Sequence, residues 1–539
     1  MRTLIYNTRM VVPMDDGRSR IPNGYVLVKD HQIERVGAGP APTDVKIEHF
    51  VDARGKIALP GLVNTHHHLF QVMTRNAPAA QGAKLFDWLV ALYPIWRGID
   101  PETVYWSTLA GAAPTDVKIE RFVDARGKIA LPGLVNTHHH LPQTLTRNVP
   151  RVQEAPLFRW LVELYEVWRG LDAAAVEAAA QVGLGELLLT GCTTTTDHLY
   201  LFPRGQDRLI DAEIAAARAL GIRFHPTRGS MSRGKSQGGL PPDDVVQDEG
   251  AILDDCRRLI HEYHDPRPGA MTRIALAPCS PFSVTEDLMR STAELAREKG
   301  VRLHTHLAET KDEEAYCLQS YGVRPVEYLR RNGWLGPDVW LAHCVHLSRA
   351  EIALLGQTGT GVAHCPSSNF RLGSGIAPVR DLLSAGVPVG LGVDGSASND
   401  SSNLMAEVRQ AMLAHRLDPD TSRWITAEDA LWMATRGGAR CLGRDDIGSL
   451  EPGKAADLIL VDTRRLSYAG AASDPVAALV FSPFPEPVDT VMVNGRVLVE
   501  GGELLGVDVP ALIERADAIA AGLLQAATRS TGRDYLNKQ

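Results

Sequence analysis

Three consecutive histidines, His138, His139 and His140, head the residues of this chain that could do chemistry. On a strand alternate side chains share a face, so His138 and His140 point one way together and His139 the other. Two neighbouring imidazoles make half of a metal site. Further candidates stand in other runs: His304, His306 and Glu309 in LHTHLAET, His343 ending VWLAH, His364 in VAHCPSSN and Asp394 ending VGLGVD. Glu309 or Asp394 could supply the carboxylate that acid–base work needs beside a reacting water. A metal-activated hydroxide would serve as the nucleophile. Each His taken singly is more often a structural residue, and it is the constellation that carries weight.

Other motifs carry less. GLGVDG (390–395) matches GxGxxG, but no βαβ unit with a ribose-binding acid follows it. GSLEPGKA (448–455) resembles a phosphate-binding loop but has Ala455 where Ser or Thr should meet Mg²⁺, so it reads as a turn. Cys279 in PCSPF lacks the PCxxC pattern of the His/Cys zinc deaminases. Thr193–Thr196 read most simply as strand residues.

The elements that must position the candidates follow a pattern. Eight runs are apolar and end in polar or His residues: LVNTHHH, TTTTDH, IRFHPTRGS, IALAPCS, VRLHTH, VWLAHC, GVAHCPSSN and VGLGVDG. Helical stretches separate them, which predicts an α/β fold with a closed (β/α)₈ barrel of the TIM type. In such barrels the active site lies at the C-terminal strand ends, and the candidates sit at the ends of strands one, five, six and eight. TLIYNTRMVV, GYVLVKDHQIERVG and VKIERFVDARGKIALPG at one end of the chain, with SLEPGKAADLILVD and PVDTVMVNGRVLVEGG at the other, predict a small β-sandwich domain built from both ends. DVPALIERADAIAAGLLQAAT predicts an amphipathic C-terminal helix packed on the outside.

The chain also repeats itself. Residues 41–69 recur 72 residues later as 113–141, and these 29 positions differ only at His49/Arg121. The second copy runs on into VEAAAQVGLGELLLTGCTTTTDHLY, an amphipathic helix and a strand. The first copy is cut off inside what would be that helix. Loops tolerate insertion far better than helix interiors do, so the second copy is expected to fill the barrel and 41–112 to be an insertion after the Gly37–Pro40 turn. The expected division is a sandwich of 1–40, 113–132 and 446–505, a metal-dependent barrel over 133–445, and a helix and tail over 506–539. Metal competition by His66 and His68 of the first copy, or a barrel disabled by the duplication, is the non-enzyme alternative.

Composition bounds the function class. Of 539 residues, 44% are hydrophobic and 22% charged, which excludes global disorder. No apolar run approaches the roughly 18 residues that span a bilayer. Net charge is −8, which argues against a nucleic-acid partner. The start turns polar at Asn7, unlike a secretory signal. Seven scattered Cys read as reduced thiols in a cytoplasmic protein.

The segments PGLVNTHHH, HTHLAE, LAHCVHLS, AHCPSSN, GVDGSASND and ATRGGARCLGRDDIGSLEPGKAADLILVD resemble the amidohydrolase superfamily, in its cytosine deaminase and triazine hydrolase branch. The resemblance implies one divalent metal, usually zinc with iron or manganese as alternatives, held by His138, His140, His306 and Asp394. It implies that Glu309 shuttles protons to the ring nitrogen and the leaving amine. His343 would orient the attacking hydroxide or stabilise the oxyanion, and Asp394 would take the proton of the water. The strand-four region IALAPCSPFS lacks the lysine of binuclear relatives, which implies a mononuclear site. Within the branch, TTTTDHLYLFP, TRGSMS with GGLPPDDVVQ, and APCSPFSVT resemble deaminases of 8-oxoguanine, which release urate and ammonia and can also accept isocytosine. Alternatives are a triazine amino- or chlorohydrolase and a deaminase of S-adenosylhomocysteine, methylthioadenosine or guanine. Gln143, Arg228 and Ser230 are candidate substrate contacts, with ordinary loop hydrogen bonding as the bland alternative. Trp160 is a candidate pocket wall or a core residue. Pro142 stands where relatives carry an aromatic residue, and the first copy has Phe70 there. Family members often form homodimers or larger homo-oligomers around a small-molecule substrate.

Overall fold

In the computed structural model the described residues are 2–6, most of 10–38, 121–482 and 487–537. The segment 41–112, with His66, His68 and Phe70, lies outside them.

Eight parallel strands form a closed barrel: β1 (Leu134–Asn136), β2 (Cys192–Leu199), β3 (Arg223–Ser230), β4 (Ala275–Pro278), β5 (Arg302–Leu307), β6 (Val339–His343), β7 (Gly361–His364) and β8 (Val389–Leu391). They correspond one for one to the eight runs in the sequence. Closure comes from Leu391 of β8 opposite Asn136 of β1. Past that closure, Asp394 pairs with His139 and Gly395 with His140. The second copy of the repeat therefore supplies β1, and the Thr run lies within β2.

Several of the helices between strands are capped by side chains just before their first turns. Asp172 accepts from the Ala175 N–H to start Ala173–Leu189, and Thr310 accepts from the Glu313 N–H to start Lys311–Tyr321. The helix Ala173–Leu189 is not amphipathic, contrary to expectation. It is buried on most of its faces, because the C-terminal helix Val509–Thr531 covers its outer side. Ala516, Leu523 and Ala527 are the buried residues of that covering helix.

Two sheets form the sandwich. The four-stranded sheet runs Gln32–Ala38, Gly24–Lys29, Arg2–Tyr6, Arg121–Asp124; the seven-stranded sheet has Leu458–Asp462 and Lys128–Pro132 at its centre. Val26, Ile33 and Val123 of the first sheet share a core with Ala130, Leu458, Leu460 and Met492 of the second. VKIERFVDARGKIALPG, read as one strand, is two strands in different sheets. Gly127 at φ 73° and a Lys128 N–H···O=C Ala125 bond turn the chain between them. Thr490–Val493 and Arg496–Glu500 form a hairpin whose Asn494-Gly495 turn has both φ positive.

The chain divides into two compact units. One gathers the described residues up to Gly133, Ala411–Trp432 and Asp446–Glu503; the other gathers Leu134–Gln410, Met433–Asp445 and the described residues from Leu504 on. The 411–432 stretch, counted with the barrel in the sequence reading, groups with the sandwich. Its helix Ala427–Trp432 packs on Pro475–Phe481, and the Arg416 guanidinium lies 5.0 Å from the Phe481 ring centre.

Candidate active site

The strand registers bring residues far apart in the chain to one point above the barrel. His140 Nε2 lies 3.1 Å from His306 Nε2 and 3.3 Å from Asp394 Oδ1, and His138 Nε2 lies 3.4 Å from the same oxygen. Donors on a tetrahedral zinc with bonds of about 2.0–2.1 Å sit about 3.3 Å apart, which matches this spacing.

The hydrogen bonds behind the rings fix their tautomers. His140 Nδ1–H donates to the His198 carbonyl at 2.7 Å, and His306 Nδ1–H to the Cys279 carbonyl at 2.6 Å. His304 Nδ1–H donates to the Trp340 carbonyl at 2.9 Å, which leaves its Nε2 to accept from His138 Nδ1–H at 2.8 Å. Each of the three candidate histidine ligands thus turns an Nε2 lone pair inward. The His138 Nε2 is buried and meets no hydrogen-bond partner. Two lone pairs facing each other at 3.1 Å repel unless a cation lies between them, so the donor set fits a divalent ion. Burial, with the charges of His140 and His343, pushes His306 down to about 3. Burial also lowers His138 and His140. The rings are neutral at neutral pH, as ligation requires.

Asp394 is buried, which by itself would raise its pKa. The neighbouring His138, His343 and His140 outweigh this and hold the carboxyl well below its ordinary value. Its Oδ1 accepts from the Gly395 N–H at 2.7 Å and its Oδ2 from the Ser368 hydroxyl at 2.5 Å. Asp394 and His343 both hold left-handed backbone, φ 62° and 70°. A non-glycine residue is rarely found there, and such strain collects at functional sites.

Glu309 and His343 complete the polar side. His343 Nε2 lies 3.7 Å from Glu309 Oε2 and 3.9 Å from Asp394 Oδ2, while its Nδ1–H donates to Asn369 Oδ1 at 2.9 Å. Burial lowers the His343 pKa, but the Glu309 and Asp394 charges outweigh that and leave it raised. Burial pushes Glu309 up to about 7. Glu313 accepts from the Ala308 and Glu309 N–H groups at 2.8 and 3.0 Å, which fixes the turn that presents Glu309.

These groups line a cavity of about 440 Å³ including its mouth. Its apolar walls are Leu157, Trp160, Leu161, Tyr165, Phe282 and Leu372; Gln143, Tyr200, Cys279, Ser280 and Ser398 add polar points. Gln143 and Trp160 both line this cavity. Gln143 Oε1 and Trp160 Nε1 are buried without protein partners, an acceptor and a donor left for a ligand. Arg228 and Ser230 do not line the cavity. Arg228 points toward the helix Glu249–Tyr263, where Asp255 takes its Nε at 2.6 Å and Gln247 its Nη2 at 2.8 Å, with Phe202 against its guanidinium. Ser230 spends its carbonyl on the Cys279 N–H. His364 is buried at the end of β7, outside the cavity lining.

His198 was missed, although its ring stacks on His306 at 4.7 Å and it shares a candidate donor trio with His140 and His306. Its place at the polar end of TTTTDH was the available signal. Asn369, Ser368 and Ser398 were also missed; they lie in AHCPSSN and GVDGSASND, motifs prominent for other residues.

Gly395 gives one testable detail. A Cβ there would lie 1.8 Å from Gln143 Oε1. Gly395→Ala should therefore displace the Gln143 amide rather than the backbone. KM should rise about tenfold, the size of one lost polar contact, with the unfolding midpoint nearly unchanged. Steady-state kinetics and a urea melt check this.

Behind His139 lies a buried acid pair. Asp197 accepts from the Leu141 N–H at 2.6 Å, next to His140, and its charge acts on the buried Glu213 carboxyl. Burial pushes Asp197 up to about 7; burial and the Asp197 charge raise Glu213 well above its ordinary value. The folded chain therefore binds more protons than the unfolded one once pH exceeds the ordinary carboxylate range near 4, and stability falls as pH rises toward 7. Glu213→Gln should flatten that fall. Urea midpoints at acid and neutral pH decide, and an unchanged slope counts against the raised acid pair.

The Amidohydrolase family profile matches residues 129–498. The chain is 52% identical over 415 residues to an 8-oxoguanine deaminase of Pseudomonas aeruginosa, covering 77% of this chain and 92% of that protein. It is 40% identical over 402 residues to a hydroxydechloroatrazine ethylaminohydrolase of Pseudomonas sp. (strain ADP), covering 74% and 83%. The solved atrazine chlorohydrolase TrzN from Arthrobacter aurescens TC1, complexed with zinc, superposes with a TM-score of 0.78 at 31% identity, covering 96% of this chain and 100% of that one.

Proposed function

The chain belongs to the amidohydrolase family, and we propose that it deaminates an oxidised purine base, converting 8-oxoguanine and water to urate and ammonia. The observation that carries this is a cavity with apolar walls that ends on the His–Asp–Glu cluster and holds an unpaired acceptor at Gln143 and an unpaired donor at Trp160. The likeness to the Pseudomonas aeruginosa deaminase supports the choice of purine.

His138, His140, His306 and Asp394 would hold the metal, with zinc favoured by three imidazoles and one carboxylate and by the zinc-complexed structural relative. When bound, such an ion activates water and stabilises negative charge. The remaining steps belong to side chains. Glu309, with a pKa near 7, gives a proton to the ring nitrogen and passes another to the departing amine. His343, held by Asn369, steadies the oxygen as it adds to the ring carbon. Asp394 accepts one proton of the attacking water; the hydroxyl proton left on the tetrahedral carbon passes through Glu309 to the amine, and the proton on Asp394 then restores Glu309. Water oxygen joins the carbon, the amino group leaves as ammonia, and the ring carbonyl forms.

Ammonia release should be measured on 8-oxoguanine, isocytosine, guanine, cytosine and a hydroxylated triazine. Turnover of the first, with isocytosine as a slower substrate, is expected. Turnover of the triazine alone would replace the purine reading with the hydrolase reading.

A further inference from the structure

The end of the barrel opposite the candidate active site holds a second, larger cavity of about 1080 Å³ including its mouth. It opens among the strand starts. His225 comes from the first half of β3, Arg273 and Ile274 precede β4, Arg302 opens β5, and Pro337 and Asp338 precede β6. The proposed reaction uses none of these residues.

The lining is basic. Arg273, Arg297 and Arg302 line it with His225 and His264, and Asp338 is the single carboxylate residue of the lining. Asp338 already binds Arg297 Nε at 3.0 Å. Arg302 has its Nη2 on the Cys441 carbonyl at 2.8 Å, and its Nε is buried without a hydrogen-bond partner. Among the described residues no carboxylate lies within ion-pair distance of Arg302. His225 is 2% exposed, and its Nδ1 likewise meets no partner. Burial first, then the charges of Arg444, Arg273 and Arg302, hold that ring well below its ordinary pKa. A carbonyl satisfies a guanidinium hydrogen but cancels none of its charge, and a buried charge without a counter-ion is costly.

We propose that this cavity binds a phosphate-bearing small anion, with Arg302 and Arg273 as its charged contacts and His225 at its inner wall. Guanidinium groups present paired N–H donors that match phosphate oxygens. The ligand's charge would meet the Arg302 Nε and offset the mutual repulsion of the cluster. The volume admits a phosphate group carrying an organic moiety.

The metal-loaded full chain should be melted with inorganic phosphate, pyrophosphate and a nucleoside monophosphate, against potassium chloride at matched ionic strength. A saturable rise in Tm with a phosphate compound is expected. A tighter response to the nucleoside monophosphate than to inorganic phosphate identifies an organic phosphate as the occupant; the reverse identifies the free anion. Arg302→Met and the half-exposed Arg297→Gln should each weaken the response by about tenfold, the loss of a charge-assisted contact, while the surface variant Arg349→Met should not. Deamination without phosphate should be unchanged in Arg297→Gln. If Arg302→Met fails to fold, Arg297→Gln decides. The proposal is overturned if no phosphate compound gives a saturable shift, or if both cavity variants respond like the parent.

Discussion

Glu309→Gln is expected to lower kcat by about 10³-fold while the chain keeps its full metal content. The size follows from the 10²–10⁴-fold worth of a positioned acid–base group. Glu309 is 5% exposed, lines the cavity and faces His343 Nε2 at 3.7 Å. Gln has nearly the same shape, so the Glu313 contacts to the Ala308 and Glu309 N–H groups survive, and with them the turn. What is lost is a proton carrier whose pKa, near 7, lets it both give and take at neutral pH. Because the proposed ligands are other side chains, metal analysis should read the same for variant and parent. Full activity in Glu309→Gln would remove this residue from the chemistry. Lost metal would recast it as a ligand.

The second large effect concerns the repeat. His138→Ala or His140→Ala should abolish tight metal binding and bring activity to background, whereas His66→Ala and His68→Ala should leave both intact. In the fold it is the second copy that forms β1, and His138 and His140 converge with Asp394 within 3.4 Å. Removing one Nε2 from a four-donor set leaves a three-donor site whose lone pairs still repel. Metal content per chain and a chelator competition are the readouts. Metal lost on changing His66 and His68 instead would assign the site to the first copy. The apo variants should also melt lower, since a ligand that binds only the folded chain stabilises it.

Much of the site was legible along the chain because its signals are local. The alternation of His138 and His140, the polar ends of eight apolar runs and the βα rhythm each need only a few neighbouring residues. The structure places Glu309 Oε2 and Asp394 Oδ2 at 3.7 and 3.9 Å from His343 Nε2. Arg228 and Ser230 show where locality fails. Both lie at the end of β3, yet Arg228 leaves toward the helix layer, because Asp255 and Gln247 wait there. His198 shows the opposite failure, a residue without a striking motif that packing drew onto His306.

Residue types and their short-range periodicity settled on their own that this is a barrel with histidines and carboxylates at its strand ends, since strand pleat and helix turn are properties of a few consecutive residues. Tertiary structure alone decided which of those side chains share a point. Parallel pairing fixes register between strands dozens to hundreds of residues apart, as in Asp394 against His139. It also decided that the far end of the barrel would gather arginines around His225. That juxtaposition comes from barrel closure, which joins strand starts that no stretch of sequence holds side by side.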